Sequence, residues 1–205
     1  MDTKIPLHAQ YKDAFFRHRN SLNWRVQTIV NGINTVIGFR SVVDVGCAIG
    51  DIVQGFEDSG KISWGMEGSE HAKVHAVTDN ISFHDFRDKQ KFHEWFDLCT
   101  CLEVAEHIET EYVSIFISNI TTLAPKLLVS IAPPGQLGTN HHTLEPIEWW
   151  DNCFSMVGFI RDDSVSDKIK GLWEKDPRHL KPGILAYYMN LHYYEKFCNS
   201  GAVGP

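Results

Sequence analysis

Apolar positions along the chain alternate between a helical and an extended rhythm. Residues 11–33 set Phe15, Leu22, Val26, Ile29, Val30 and Ile33 at helical steps, predicting a helix. The run SVVDVG at 41–46 predicts a short buried strand, 50–60 a short helix and 62–69 a second strand. Residues 70–80 predict a helix and 81–86 a third strand, and 95–104 form the fourth strand with its exit. Val113, Phe116, Ile117 and Ile120 mark a helix over 110–124, and 126–133 is a fifth strand closed by Pro133-Pro134-Gly135. A helix from Pro146 covers 145–158, and the aromatic-rich 184–197 reads as a late strand or strand pair.

Strands alternating with helices mean βαβ units, hence an α/β fold with a mainly parallel sheet covered on both faces. Ligands of such sheets bind beyond the carboxyl ends of the strands. The residues just after each strand therefore carry the argument about function.

The chain of 205 residues fits one domain, with 43% hydrophobic and 22% charged residues. It divides into an N-terminal helical segment (1–40), a core (41–197) and a flexible tail (198–205). The net charge of −7 and the lack of a basic run argue against a nucleic-acid partner. Five cysteines, Cys47, Cys99, Cys101, Cys153 and Cys198, form no C-x-x-C pair and read as small buried hydrophobes in a reducing compartment. No apolar stretch reaches the ~18 residues of a membrane span. A soluble cytoplasmic protein is expected, with its oligomeric state open.

After the first strand comes Asp44-Val45-Gly46-Cys47-Ala48-Ile49-Gly50-Asp51. Gly46 and Gly50 are four apart with Ala48 between them, so the dinucleotide G-x-G-x-x-G spacing fails. A phosphate loop would need Lys followed by Ser or Thr, which are absent. The second strand ends at Glu67, an acid able to accept ribose hydroxyls. Asp85-Phe86 follows the third strand, and Leu102-Glu103-Val104-Ala105-Glu106-His107-Ile108 the fourth. Acids at four strand exits without a phosphate cradle describe a pocket for a nucleoside bearing positive charge.

At this point the chain resembles the class I methyltransferases that use S-adenosylmethionine, over roughly residues 40–197. VVDVGCAIGD is similar to their first motif, GMEGS carries their second-strand acid, and DLCTCLEVAEHI (97–108) is similar to a segment of many small-molecule O-methyltransferases. HHTLEPIEWWDNCFSMVGF (141–159) and YYMNLHYYEK (187–196) resemble later family segments. The resemblance is nearest to sugar and glycan-modifying methyltransferase domains, including those of large viruses. It implies a Rossmann-like, mainly parallel seven-stranded sheet in a single domain.

The resemblance also implies S-adenosylmethionine as cofactor, leaving as S-adenosylhomocysteine, and a small-molecule or glycan acceptor. Asp44 and Gly46 would line its methionine part, with Cys47, Ala48 and Gly50 completing the loop. Glu67 and Gly68 would take the ribose, Asp85 and Phe86 the adenine, and Leu102 and Glu103 the fourth-strand wall. Ala48, where glycine is commoner in the family, is tolerable if its φ stays negative.

A hydroxyl acceptor benefits from a general base, and histidine suits the task. The resemblance aligns His141 with a recurring family histidine, which makes it the first candidate for base or substrate ligand; His107 is the second. His142, Trp149, Trp150 and Glu106 are candidate substrate contacts, although at least one tryptophan reads as helix core. Some sugar O-methyltransferases resembling this fold use a divalent ion; Glu103, Glu106 and Glu145 offer oxygen ligands, and a metal stays unassigned. Nucleic-acid or protein methylation and a non-catalytic cofactor-binding domain are the alternatives.

Overall fold

The computed structural model describes residues 4, 6–20, 24–92, 96–176 and 188–197. Strands β1 (Ser41–Val45), β2 (Ile62–Glu67), β3 (Ile81–Phe83), β4 (Leu98–Leu102), β5 (Lys126–Ser130), β6 (Phe159–Arg161) and β7 (Leu191–Lys196) form one sheet in the order β3-β2-β1-β4-β5-β7-β6. The first five run parallel; β7 lies antiparallel between β5 and β6. This is the expected mainly parallel, seven-stranded α/β sheet.

The helices are α1 (Leu7–Gln10), α2 (Asp13–Asn20), α3 (Trp24–Val36), α4 (Asp51–Asp58), α5 (Val113–Leu123), α6 (Ile147–Ser155) and α7 (Asp163–Lys175). Strand alternation divides the core. Val43, Val45, Cys99, Cys101, Leu127 and Val129 bury one face against Phe116 and Ile120 of α5 and Trp150 and Phe154 of α6. Val42, Leu98, Leu102 and Leu128 bury the other against Ile29 and Ile33 of α3, Phe56 of α4, and Ile169 and Trp173 of α7. With both faces covered, these strands read as continuous apolar runs, which made them legible in the sequence.

Five elements differ from expectation. The helix predicted over 11–33 is two described helices, α2 and α3, with 21–23 outside the described residues. Residues Glu70–His75 form a 3-10 turn where a helix over 70–80 was expected. The late strand is β7, with 184–187 outside the described residues, as is the 198–205 tail. Strand β6 and helix α7 were not anticipated, yet α7 has a sequence signal. Asp162 caps it by accepting from the Ser164 N–H at 2.9 Å, and Val165, Ile169 and Trp173 repeat every four residues. Trp173 seats against α3 at Gly32, where a Cβ would lie 2.3 Å from its Nε1.

No helix among the described residues is long and apolar enough to cross a membrane. Cys47, Cys99, Cys101 and Cys153 are free, the first three buried. Cys198 lies outside the described residues.

Candidate functional site

A cleft opens at the carboxyl ends of β1, β2 and β4, with about 760 Å3 of empty space, partly open to solvent. Its walls hold Gly46, Ala48, Glu67, Gly68, Asp85, Phe86, Leu102, Glu103 and His107, nine of the residues singled out in the sequence. The N-terminal segment closes one side with Leu7, Tyr11 and Phe15. No sequence signal pointed to these three, because their place over the cleft is set by tertiary packing. Arg87, also in the wall, carried a weak signal: a basic residue two positions after the acid Asp85.

The turn after β1 is built on left-handed backbone. Gly46 has φ +73°, and a Cβ there would stand 2.3 Å from Cγ2 of Val104. Gly50, at φ +77°, starts α4. Ala48 has φ +51°, so the expectation of a negative φ is corrected. The reason is visible in its hydrogen bond: the Ala48 N–H donates to Oε2 of Glu67 at 2.8 Å, and the turn must twist to aim it there. The other carboxylate oxygen, Oε1, accepts from Ser69 N at 2.8 Å. Glu67, almost fully buried, is thereby fixed at the cleft wall by two backbone donors.

Three residues of the first motif stand elsewhere than the cleft wall. Asp44 is buried within the sheet, its Oδ1 accepting from Thr100 Oγ1 of the neighbouring β4 at 2.6 Å. Cys47 is buried against β2, where a Cβ on Gly65 would lie 2.6 Å from its sulfur. Gly50 packs under Thr78 and Ile81. These residues shape the turn from behind.

At the wall beyond β3, Asp85 is engaged by Arg87: Nε donates to Oδ1 at 3.0 Å and Nη2 to Oδ2 at 2.8 Å. Partial burial pushes the Asp85 carboxyl up, but the hydrogen bonds and charge of Arg87 outweigh it, so the net shift is downward. Arg87 Nη1 also donates to Oε1 of Glu109 at 2.8 Å. The loop beyond is held by Asn119 of α5, whose Nδ2 donates to the carbonyls of Phe86 and Asp88. Phe86 is buried and stacks on Phe92, with ring centroids 5.6 Å apart.

The fourth-strand exit meets the loop after β5. Glu103 stands at φ +59°, its N–H donating to the carbonyl of Ser130. The carbonyl of Glu106 accepts from His142 N at 2.8 Å and Thr143 N at 3.0 Å, and Thr143 Oγ1 donates to the Ile108 carbonyl. This stitching sets the His107 and His141 rings edge to face, centroids 4.9 Å apart. Burial lowers the His107 pKa to about 4, so the ring is neutral near pH 7. Glu106 is fully buried, and burial first, then the neighbouring Glu103 charge, pushes its carboxyl well up. Tyr11 abuts His107 from the N-terminal side, centroids 5.9 Å apart.

His141 lies behind His107 and outside the cleft wall proper, and His142 is exposed. Trp150 is 0% exposed in the α5–α6 core, so it offers no face to a substrate; its role as a substrate contact is corrected to core packing. Trp149 is half-buried, crossing Trp150 edge to face at 5.0 Å. Glu145 is half-buried and stands outside the Glu106–His107–His141 grouping.

The sequence matches no family model, and no curated protein is similar to it in sequence. Solved structures match its fold. The magnesium protoporphyrin IX methyltransferase of Synechocystis PCC 6803, with bound S-adenosylhomocysteine, superposes with TM-score 0.55 at 20% identity, over 75% of this chain and 80% of that one. The Haloferax volcanii protein in complex with a methyltransferase activator gives 0.61 at 16% identity, over 90% and 95%. The sugar N-methyltransferase KedS8 of Streptoalloteichus sp ATCC 53650 gives 0.55 at 16%, over 73% and 85%. The chain has the fold of the class I methyltransferases.

Proposed function

We propose that this protein is an S-adenosylmethionine-dependent O-methyltransferase acting on a hydroxyl of a sugar, glycan or other small molecule. The observation that carries the reading is Glu67, anchored at the end of β2 by Ala48 and Ser69 with its carboxylate in the cleft wall. An acid so placed accepts ribose hydroxyls and repels a pyrophosphate. A net charge of −7 fits a small acceptor better than a nucleic acid.

Within this reading, Gly46 and Ala48 let the backbone approach the cofactor's amino-acid end, Gly68 and Glu67 take the ribose, and Phe86 presents an apolar wall to the base. Asp44 and Cys47 act by holding the turn. Methyl transfer from a sulfonium is an in-line displacement, in which positioning supplies most of the catalysis. Proton removal from the acceptor falls to the His107–His141 end of the cleft, where a neutral imidazole is available. Leu7, Tyr11 and Phe15 shield that end from water.

Calorimetric titration with S-adenosylhomocysteine tests the cofactor assignment: saturable binding is expected, and its absence would sink the methyltransferase reading. Mass spectrometry after incubation with S-adenosylmethionine and a panel of sugars, phenols and nucleosides then reads the acceptor, as a mass gain of one methylene.

A further inference from the structure

From the contact between the β4 exit and the β5–α6 loop, we infer that Glu106, His107 and His141 form a binding site for a divalent first-row metal ion, set just behind the cleft wall and reaching the cleft through His107. One potential ligand atom from each of the three lies within 4.8 Å of the others. An ion about 2.1 Å from each donor needs them roughly 3 to 4 Å apart, so metal entry draws the three side chains together.

Glu106 is 0% exposed, and neither of its carboxylate oxygens has a hydrogen-bond partner of good geometry. The backbone N–H groups of Glu106 and Ala132 favour its charged form, and the side chain of Glu103 opposes it. A charged carboxylate in that position is costly, so the group either keeps its proton or shares its charge with a cation. Each histidine has its Nδ1 beside a backbone carbonyl. His107 Nδ1 lies 2.9 Å from the Asn140 carbonyl and His141 Nδ1 lies 3.3 Å from the Gln136 carbonyl. A carbonyl only accepts, so each Nδ1 carries the proton and each Nε2 keeps a lone pair. The Glu106 carbonyl, bonded to the N–H groups of His142 and Thr143, holds the two loops in this register.

Two imidazoles and one carboxylate favour Mn2+, Co2+ or Zn2+ over Mg2+ or Ca2+. Three protein ligands leave open positions, and a hydroxyl entering one loses its proton more readily. This role in turnover rests on the proposed methyltransferase reading, whereas cation binding does not. The hydroxyl proton leaves to solvent, the O–CH3 bond forms as the CH3–S+ bond breaks, and that bond's electron pair stays on sulfur. The histidines then serve as ligands, and the metal replaces them as the means of activating the acceptor.

Cobalt titration of the full chain, followed by visible absorption, tests the site. One equivalent of Co2+ with bands typical of nitrogen ligation is expected. Glu106→Gln, His107→Ala and His141→Ala should each weaken it by about a hundredfold or more, and Glu106→Gln and His141→Ala should leave S-adenosylhomocysteine affinity near wild type. No Co2+ or Mn2+ binding at millimolar ion, or binding indifferent to all three substitutions, would overturn the proposal. Should the variants fail to fold, paramagnetic shifts of the His107 and His141 ring protons in the wild-type chain decide it, and unshifted rings refute it. Loss of S-adenosylhomocysteine binding with cobalt binding intact would sink the methyltransferase reading alone. Turnover indifferent to a chelator would return the proton-removing role to the histidines.

Discussion

The backbone N–H of Ala48 donates to Oε2 of Glu67 at 2.8 Å, tying the turn after β1 to the end of β2. That bond is made with an alanine at φ +51°, a conformation that costs an L-residue about 1–2 kcal/mol. Replacing Ala48 by glycine keeps the donor and removes the strain, while the freer unfolded chain takes back part of the gain. Ala48→Gly is expected to stabilise the protein by about 0.5–1 kcal/mol, or roughly 2 °C in Tm, with cofactor affinity unchanged or improved. Thermal and urea unfolding measure the first, calorimetry the second.

Gly46 presents the opposite case. A methyl group there meets both the left-handed backbone at φ +73° and Cγ2 of Val104 at 2.3 Å. Gly46→Ala should cost about 2–4 kcal/mol and lower cofactor affinity. Adding Val104→Ala removes the steric part and leaves the backbone part, so the double variant should recover some, but not all, of the loss relative to Val104→Ala alone. A double-mutant cycle by urea unfolding reads this coupling; strict additivity would refute the contact.

Arg25 of α3 donates from Nη2 to Oδ2 of Asp51, the first residue of α4, at 2.7 Å, with both side chains buried. The pair locks α3 to the start of α4, just after the β1 turn. Arg25→Met leaves a buried acid without its cation and should destabilise the fold by about 3–5 kcal/mol. Arg25→Met with Asp51→Leu should be markedly more stable than Arg25→Met alone. A double variant as unstable as the single one would show that the guanidinium has other, larger roles.

His192 of β7 has its pKa lowered to about 4, by burial first and then by Arg161 and Lys170, with Asp163 and Asp151 opposing. Between about pH 6.5 and 4 the unfolded chain binds a proton there that the folded chain does not. Stability therefore falls as pH drops through that window and is fully present above it. Its contribution is about 1–2 kcal/mol once partial exposure is allowed for. His192→Phe should flatten the dependence of unfolding free energy on pH between 6.5 and 4. An unchanged slope would place the titration elsewhere.

His141 sits beside His107 and outside the cleft wall. His141→Ala is expected to reduce turnover about a hundredfold or more while leaving S-adenosylhomocysteine affinity nearly intact. An equal fall in affinity, read by calorimetry, would instead place His141 in the cofactor site.

The sequence by itself determined the parallel strands of the sheet and the acids at their ends. Parallel strands buried on both faces leave continuous apolar runs, and turns leave glycines, so β1, β2, β4 and β5 and the positions of Glu67, Asp85 and Glu103 follow from local pattern. Tertiary structure decided the rest, because it depends on contacts distant in the chain. The turn twists Ala48 into the left-handed region to reach Glu67, and Trp150 points into the α5–α6 core. Leu7, Tyr11 and Phe15 fold over the cleft, and the Asn140 carbonyl meets a histidine 33 residues earlier in the chain. Periodicity shows which face of an element is buried; only packing shows which other element it is buried against, and so which side chains share a site.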